Sequence, residues 1–276
     1  MHACRKDTTG RIHAECHQSG ASTGRLSCRK PNLQQIPRDK SFRSCIAAPP
    51  GYRLIIADFS QIELRIAAEI TGDATMIKAY HNGQDLHKMT ASIITEKPLH
   101  QICKNERQAA KAVNFGLIYA MGADGLMAYA QNIYGVNLTI NQAQNFIARF
   151  FGAYQGIEKW HNEIRKSITR ETRTLGNRRR LWDSNPPITE RLNTPIQGTS
   201  ADILKKALSI LPNALAGIGL KIIACIHDEI ILETPAKKAE KASHILTQTM
   251  IAAGEHYLKK VPVEVDVIIS DNWADK

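Results

Sequence analysis

Residues 221–234 read KIIACIHDEIILET, in which two apolar runs enclose the polar triplet His227, Asp228 and Glu229. Each run is short and rich in isoleucine, as is typical of a buried β-strand. Two such runs joined by a short polar connection predict a β-hairpin with the triplet at its tip. Adjacent acids between two core strands are costly unless they stay solvated or serve a function, so the tip is the first candidate site.

The segments on either side of this hairpin predict an α+β fold. YRLIIAD, residues 52–58, indicates another buried strand, and it ends at Asp58. SQIELRIAAEI follows directly and places its isoleucines on one helical face, with Ser60 as the expected N-cap. The other predicted elements are a broken helical region over about 85–170, a hairpin over 174–183, a helix over 195–211 opened by a capping-box pattern from Thr199 to Asp202, a helix over about 236–259 and a last strand in VPVEVDVII. Strands early and late around a helical middle indicate an α+β domain with a helical insertion.

The composition favours an anionic partner. Among 276 residues, 36 Lys and Arg exceed 26 Asp and Glu, and the formal net charge is +10. Residues 1–45 carry nine of the basic residues and three of the acidic ones, which indicates a phosphate-contacting segment or a solvated arm. The six cysteines form no CxxC pair, so we expect reduced thiols. Because no apolar run reaches the length of a membrane span, we expect a cytoplasmic protein without a membrane partner.

Asp58 and Asp228 each follow an apolar run, which makes them candidate metal ligands. A lone aspartate at a strand end more simply caps the next helix. Two carboxylates from separate strands of one sheet can instead converge on a pair of hard cations, which prefer oxygen ligands. The acids alone leave both interpretations open.

A third candidate lies in KNERQAAKAVNFGLIYAMG, residues 104–122. Arg107, Lys111, Phe115 and Tyr119 recur at steps of four residues and would share one face of a helix. One interpretation is an ordinary amphipathic helix with a solvated basic end and an aromatic core contact. The other is a binding face for a nucleoside triphosphate, with the cations on the phosphates and the rings on the sugar and base.

Several ordered segments together resemble the family A DNA polymerases. They are TGRLSCRKPNLQQIP (23–37), DFSQIELRIAAE (58–69), RQAAKAVNFGLIYAMG (107–122), TPIQGTSADI (194–203) and HDE (227–229). The resemblance implies a right-hand polymerase palm, an antiparallel sheet with helices, that carries a helical fingers insertion. The implied boundaries are palm over 1–85, fingers over 86–182 and palm again over 183–276. We expect the thumb and exonuclease domains to be absent from this chain.

Position by position, the resemblance implies roles for individual residues. Asp58 and Asp228 would bind two Mg²⁺ ions, with Mn²⁺ as a substitute, and the Phe59 carbonyl would be a further ligand. Glu229 would be an accessory acid near the primer end, and Lys111 would also donate a proton to the leaving pyrophosphate. The implied nucleotide-binding residues are Gln61, Glu63, His87, Arg107, Lys111, Phe115 and Tyr119. The implied DNA-binding residues are Arg25, Asn32, Gln34, Asn193, Gln197 and His227.

Some of these implied roles are more specific. Glu63 would exclude a ribose 2′-OH, Phe115 would pack on the sugar, and Tyr119 would stack near the template base. Phe59 and Ala120 stand where many relatives have Tyr and Gly. Ala120 is expected to stiffen the end of the helix slightly.

The implied activity is template-directed DNA synthesis on a primer 3′-OH by two-metal-ion nucleotidyl transfer, with dNTPs and primer-template DNA as partners. The helix bearing Arg107 to Tyr119 would move toward the metals when the correct nucleotide pairs. We expect no 3′→5′ proofreading, and a thumb supplied by a separate chain or an N-terminal region. The alternatives are a single-subunit-type RNA polymerase, against which Glu63 and Phe115 argue, and a non-catalytic nucleic-acid-binding remnant. A two-metal nuclease would explain the acids but not the face from Arg107 to Tyr119.

Overall fold

The α+β prediction is confirmed by a computed structural model, which describes residues 7–8, 10–37 and 39–275. The strands are β1 (Glu15–His17), β2 (Ser27–Arg29), β3 (Tyr52–Phe59), β4 (Glu171–Arg173), β5 (Arg179–Leu181), β6 (Lys221–Ile226), β7 (Glu229–Pro235) and β8 (Val265–Ser270). The α-helices are α1 (Lys40–Arg43), α2 (Ile62–Thr71), α3 (Ala74–His81), α4 (Leu86–Thr95), α5 (Lys104–Leu117), α6 (Ala123–Tyr134), α7 (Ile140–Ala153), α8 (Gln155–Lys166), α9 (Ile188–Ala214) and α10 (Ala239–Glu255).

The chain divides into two compact units. The first contains the described residues up to Ser60, Ser200–Tyr257 and the described residues from Val263 onward. The second contains Gln61–Thr199 and Leu258–Pro262. The palm and fingers boundaries expected at 85/86 and 182/183 stay a prediction.

The first unit is built on a four-stranded antiparallel sheet in the order β6-β7-β3-β8. Helix α10 packs against β3 and β8. An apolar cluster of Leu54, Ile56, Ile226, Ile231 and Trp273 joins β3, β6 and β7 to the C-terminal segment. Because strand residues alternate between faces, a strand covered on both sides must be apolar throughout, which is why β3 reads as a continuous apolar run.

The second unit is mainly helical and contains α2 to α8, the small β4-β5 hairpin and the first part of α9. Its core includes Leu64 and Ile66 of α2, Leu117 of α5 and Phe150 of α7, all fully buried or nearly so. Apolar side chains buried to this degree each contribute about 2 kcal/mol to the free energy of unfolding, which is enough to hold short helices together.

Most predicted elements are confirmed, and two predicted helix starts are wrong. Helix α2 begins at Ile62, and its N-cap is Gln61 in a left-handed conformation (φ +52°), not Ser60. Helix α9 begins at Ile188, so residue 199 lies inside it, and the Thr199 hydroxyl donates to the Pro195 carbonyl instead of capping a start. Proline is common in the first turn of a helix, so Pro195, which lies well inside α9, resembled the start of a shorter helix.

Two further expectations concern cysteines and membrane spans. The described cysteines are all free thiols, as expected: Cys16, Cys28, Cys45, Cys103 and Cys225. Within the described ranges, every helix is too short or too polar to cross a membrane.

Candidate functional site

The acids of the first unit meet at one end of its sheet. Asp58 is the last-but-one residue of β3, and Glu229, the first residue of β7, lies directly opposite it in the register. His227 and Asp228 form the two-residue connection between β6 and β7. The Phe59 amide donates to the Asp228 carbonyl at 3.4 Å, which ties the connection to the end of β3. The register of three strands therefore fixes where these acids stand.

His227 has a left-handed φ of +58°, which a β-carbon makes unfavourable. Such conformations persist only where the surrounding structure imposes them, and they are frequent at functional sites. Here the flanking strands impose it, because a two-residue connection must reverse the chain within one strand spacing.

A cavity of about 210 Å³ opens at this end of the sheet. It is lined by Gln34, Ile36, Arg43, Asp58, Ile226, His227, Asp228 and Glu229. The structure thus brings together five of the predicted site residues: Asp58, Asp228, Glu229, His227 and Gln34. The Gln34 side chain is held in place because its amide donates to the Leu26 carbonyl at 3.0 Å.

The other predicted DNA-binding residues of the first unit lie near Gln34 in the sequence. Asn32 caps a short 3-10 turn, Leu33–Gln35, by accepting from the Gln34 amide at 3.0 Å. Arg25 is half-buried just before β2. Neither residue lines the cavity at the sheet end.

The sequence did not indicate Arg43 and Trp273, which lie outside the motifs but beside the acids: Arg43 lines the same cavity, and Trp273 contacts Glu229. Trp273 Nε1 donates to Glu229 Oε1 at 2.8 Å, and the Arg43 guanidinium lies 4.2 Å above the Trp273 ring. All three side chains are buried. Only the general tendency of a buried carboxylate to have donors nearby could have prompted a search for them.

In the second unit, α5 carries Arg107, Lys111 and Phe115 along one face, as predicted. Tyr119 is not on the helix, because α5 ends at Leu117 and the chain turns there. The helix is well anchored at its start, where the Glu106 carboxylate accepts from the Cys103 amide at 2.9 Å. Hydrogen bonds from Lys97 and Cys103 lower the pKa of Glu106 to about 2.

Arg107 already has an acidic partner. Its Nε donates to Asp85 Oδ2 at 2.6 Å, while the other Asp85 oxygen caps α4 by accepting from the amides of His87 and Lys88. Burial acts to raise the pKa of Asp85, but the bonds from Arg107 and Lys88 outweigh it and leave that pKa lowered. Because the ion pair uses Nε, the two Nη groups of Arg107 can donate elsewhere, in the fork geometry that suits phosphate.

His87 lies at the end of a buried hydrogen-bond chain. The Tyr154 and Thr90 hydroxyls are 2.7 Å apart, and Thr90 donates to Asn114 Oδ1 at 3.0 Å. That bond orients the Asn114 amide so that its Nδ2 donates to His87 Nδ1 at 2.9 Å. A neutral His87 therefore carries its proton on Nε2.

Burial lowers the pKa of His87 to about 4, and the nearby cations Arg107 and Lys111 act in the same direction against Asp85. The imidazole is thus neutral at pH 7. Its ring also lies beside Phe115, with the ring centroids 5.6 Å apart. His87 is accordingly placed as a hydrogen-bond donor and not as a cation.

A second cavity, of about 410 Å³, brings together three of the predicted nucleotide-binding residues and two of the predicted DNA-binding residues. It is lined by Glu63, Phe115, Tyr119, Met121, Tyr129, Tyr134, Asn193 and Gln197. The Tyr119 hydroxyl donates to Glu63 Oε2. Asn193 and Gln197 are four residues apart on α9 and share one face. Gln61 is not part of this lining, and its Oε1 accepts from the Tyr80 hydroxyl at 3.4 Å.

Three lining residues, Met121, Tyr129 and Tyr134, were not predicted from the sequence. Tyr129 and Tyr134 belong to α6, and their rings meet edge to face with centroids 5.7 Å apart. Both resemble ordinary amphipathic helix positions in the sequence, so no local pattern marks them.

Ala120 has a left-handed φ of +58°. This conformation costs an alanine about 1 kcal/mol relative to glycine. Alanine at position 120 therefore introduces backbone strain in the turn after α5, in addition to the slight stiffening expected from the sequence.

The carboxylate end suits Mg²⁺, although no three His, Cys, Asp or Glu side chains within the described ranges form a cluster able to hold a metal alone. Magnesium in phosphoryl-transfer enzymes is commonly held by one or two carboxylates plus substrate phosphates, not by an all-protein cage. Asp58 and Asp228, beside one polar cavity, provide such a donor set.

The comparisons with known proteins identify the family. The profile of DNA polymerase family A matches residues 1–275, so the chain belongs to DNA polymerase family A. It is 42% identical to DNA polymerase I of Aquifex aeolicus (strain VF5) over 269 residues, 96% of this chain and 46% of that protein. It is 34% identical to the thermostable DNA polymerase I of Thermus aquaticus, over 96% of this chain and 33% of that protein.

A solved structure supports the same assignment. The POL domain of Pol1 from M. smegmatis, in complex with DNA primer-template and dNTP, superposes with a TM-score of 0.87 at 32% identity, over 97% of this chain and 49% of that one. The predicted palm-and-fingers architecture is thereby confirmed. The chain spans less than half the length of these relatives.

Proposed function

We propose that this chain is a template-directed DNA polymerase that adds deoxynucleotides to a primer 3′-OH. The observation that carries the proposal is the convergence of Asp58, Asp228 and Glu229 on one cavity, in a chain that belongs to DNA polymerase family A. Like charges directly opposite in a sheet destabilise it, so an arrangement of this kind is unfavourable without a function.

Asp58 and Asp228, with the Phe59 carbonyl, would hold two divalent cations in this proposal. Bound there, the ions would lower the pKa of the primer 3′-OH and neutralise charge on the phosphates. Glu229 stands beside both aspartates and would orient groups at the primer end. The fixed register of β3 and β7 suits this role, because nucleotidyl transfer depends mainly on accurate positioning.

The second unit would bind the incoming nucleotide. Arg107 and Lys111 would contact the triphosphate, and His87 would donate from Nε2 to a phosphate oxygen. Lys111 would also give a proton to the leaving pyrophosphate. Phe115 would pack on the sugar, and Glu63, held by the Tyr119 hydroxyl, would leave no room for a ribose 2′-OH.

The nucleic acid partner would be primer-template DNA, consistent with the net charge of +10 and with the complex in which the M. smegmatis POL domain was solved. Arg25, Asn32, Gln34, Asn193, Gln197 and His227 would contact it. The proposal includes no proofreading by this chain.

Primer extension by the purified chain tests the proposal. With magnesium and four dNTPs, extension of a primed template is expected at low salt, and less at moderate salt because phosphate contacts weaken as salt rises. Asp228→Asn should reduce the rate by at least about 1,000-fold, because the loss of a metal-binding carboxylate removes several kcal/mol of transition-state stabilisation.

The alternatives make different predictions in the same assay. An RNA polymerase would prefer rNTPs, and a non-catalytic remnant would bind DNA without extending it. Degradation of a mismatched primer would contradict the absence of proofreading. Full activity of Asp228→Asn would refute the metal assignment.

A further inference from the structure

Glu229 is a buried carboxylate whose position depends on more than its own strand. It is 6% exposed, and an ionised carboxylate at this depth needs charged or hydrogen-bonding neighbours. One neighbour is the indole of Trp273, which comes from a different part of the chain, 44 residues away, and donates at 2.8 Å.

Trp273 is itself rigidly held. It is 2% exposed and belongs to the apolar cluster with Leu54, Ile56, Ile226 and Ile231. Its backbone amide donates to the Ile46 carbonyl at 3.0 Å. An indole fixed in this way can donate in only one direction, and that direction is toward Glu229 Oε1.

Arg43 completes the arrangement. Its guanidinium lies 4.2 Å above the Trp273 ring, a distance at which a cation is attracted to an indole. The same side chain lines the cavity with Asp58, Asp228 and Glu229. A guanidinium stays charged at all accessible pH values, so it places a permanent positive charge among three acids.

We propose that Trp273 and Arg43 are positioning residues that hold Glu229 in its working orientation, an inference that rests on the proposed polymerase function. Trp273 fixes the carboxylate through its N–H, and Arg43 fixes the indole plane and offsets the negative charge of the cavity. A merely structural tryptophan would need the ring but not the N–H. The proposal therefore depends on the N–H.

The chain provides a matched control. Trp182 Nε1 donates to Glu190 Oε2 at 3.0 Å, and the Arg180 guanidinium lies 4.6 Å above the Trp182 ring. This second Arg–Trp–Glu set lies in the other compact unit and lines neither of the two cavities. Trp182→Phe removes the same chemical group as Trp273→Phe, without touching Glu229.

A double-mutant cycle is the main test. Trp273→Phe keeps an aromatic ring for the core and should lower kcat about tenfold with little change in the dNTP KM, because a displaced acid affects the reacting geometry more than substrate binding. In a Glu229→Ala background the same change should alter kcat less than about twofold, since nothing remains to be positioned. Trp182→Phe should change kcat by the same factor in the wild type and in the Glu229→Ala background.

Equal factors for Trp273→Phe in both backgrounds would overturn the inference, because they would show a role independent of Glu229. If Trp273→Phe does not fold, as judged by thermal unfolding, Arg43→Met supplies the same cycle. It keeps the aliphatic stem, removes the charge and should lower kcat by a larger factor when Glu229 is present than in the Glu229→Ala background, where only its effect on Asp58 and Asp228 remains. Equal factors in the two backgrounds would overturn the inference.

A measurement without activity separates this inference from the polymerase proposal. The chain has three tryptophans, so each indole N–H signal in an NMR spectrum can be assigned with Trp→Phe variants. Glu229→Ala should shift the Trp273 signal strongly and leave the Trp182 signal in place. An unshifted Trp273 signal would refute the inference even in an active enzyme. A shifted signal with no primer extension by the wild type would refute the function alone.

Discussion

Each compact unit contains, among its described residues, a cavity lined by predicted site residues, and the two linings differ in their chemistry. In the first unit three of the eight lining residues are acids, and strand register sets where they stand. In the second unit the lining is dominated by rings and amides carried on helices. The first cavity therefore depends on fixed charge, and the second on shape and hydrogen bonding.

The units also differ in how their charged groups are balanced. The acids of the first unit stand beside Arg43, which belongs to none of the recognised motifs. The second unit pairs its expected triphosphate ligand Arg107 with Asp85 and keeps His87 neutral. Accordingly, substitutions that change charge should affect activity most in the first unit. Changes in pH should affect stability most in the second unit.

The largest effect is expected from Asp58. Asp58→Asn should reduce primer extension at least about 1,000-fold, because it removes a charge that the proposed function assigns to metal binding, without changing side-chain size. Asp266→Asn is the matched control, since Asp266 lies directly across from Asp58 on β8 but is exposed and outside the cavity lining. It should stay within a few fold of wild type, because exposed charges are well screened.

Similar losses of activity in Asp58→Asn and Asp266→Asn would contradict a specific role of Asp58. They would show that the acids at this end of the sheet act through their combined negative charge. Steady-state rates at saturating magnesium distinguish the two outcomes. Circular dichroism should show that both variants are folded.

The next largest effect concerns pH and the second unit. Burial lowers the pKa values of both His87 and His161 to about 4 from the ordinary value of 6.5. Between those values the unfolded chain binds protons that the folded chain does not, so stability is full above pH 6.5 and falls as the pH approaches 4. Each histidine should account for roughly 3 kcal/mol of that loss.

Urea unfolding from pH 7 to pH 4 measures this dependence. His87→Gln and His161→Gln should each remove part of it, whereas His17→Gln, at an exposed position of the first unit, should leave the curve unchanged. A pH-independent free energy of unfolding in the wild type would contradict the buried neutral state of both rings.

A smaller effect is expected from the Asp85–Arg107 pair. Asp85→Asn keeps a good N-cap for α4 but removes the charge that holds Arg107 Nε. The dNTP KM should rise up to about tenfold with kcat nearly unchanged, because the charge-assisted hydrogen bond that orients Arg107 toward the triphosphate has been lost. Lys104→Gln, which removes an exposed charge at the start of the same helix, is the control.

A lower dNTP KM in Asp85→Asn would contradict the orienting role of Asp85. It would mean that the acid competes with the triphosphate for Arg107 instead of orienting it. Steady-state kinetics over a range of dNTP concentrations separate the two cases.

The sequence predicted most of the sheet and the acids at its edge, because continuous apolar runs such as residues 52–58 have one simple interpretation. It could not predict the Trp273–Glu229 bond, since no local pattern links residues 44 apart. The start of α9 was also missed, because Pro195 inside the helix resembles a helix start. Spacing placed Tyr119 on α5, although the backbone turns after Leu117. Local periodicity thus predicts elements, whereas tertiary contacts decide their ends and their partners.

The smallest expected effect concerns the turn that follows α5. Ala120 is left-handed at φ +58°, at the position where the family resemblance implies glycine in many members. Ala120→Gly should relieve about 1 kcal/mol of strain, partly offset because glycine gives the unfolded chain more freedom. The net gain in the free energy of unfolding should be positive but under about 1 kcal/mol, which corresponds to a rise in Tm of about 2–4 °C or less.

Ala153→Gly is a suitable control, because Ala153 is the last residue of α7 and is not among the residues with a positive φ. There glycine adds only unfolded-state freedom, so Tm should fall. If both glycine variants lower Tm, the turn after α5 is not strained, and alanine at this position makes the folded chain more stable than glycine does. If Ala120→Gly raises Tm and also changes the dNTP KM, the turn limits how Tyr119 meets Glu63. That result would show that the second cavity, unlike the first, tolerates backbone adjustment beside its binding residues.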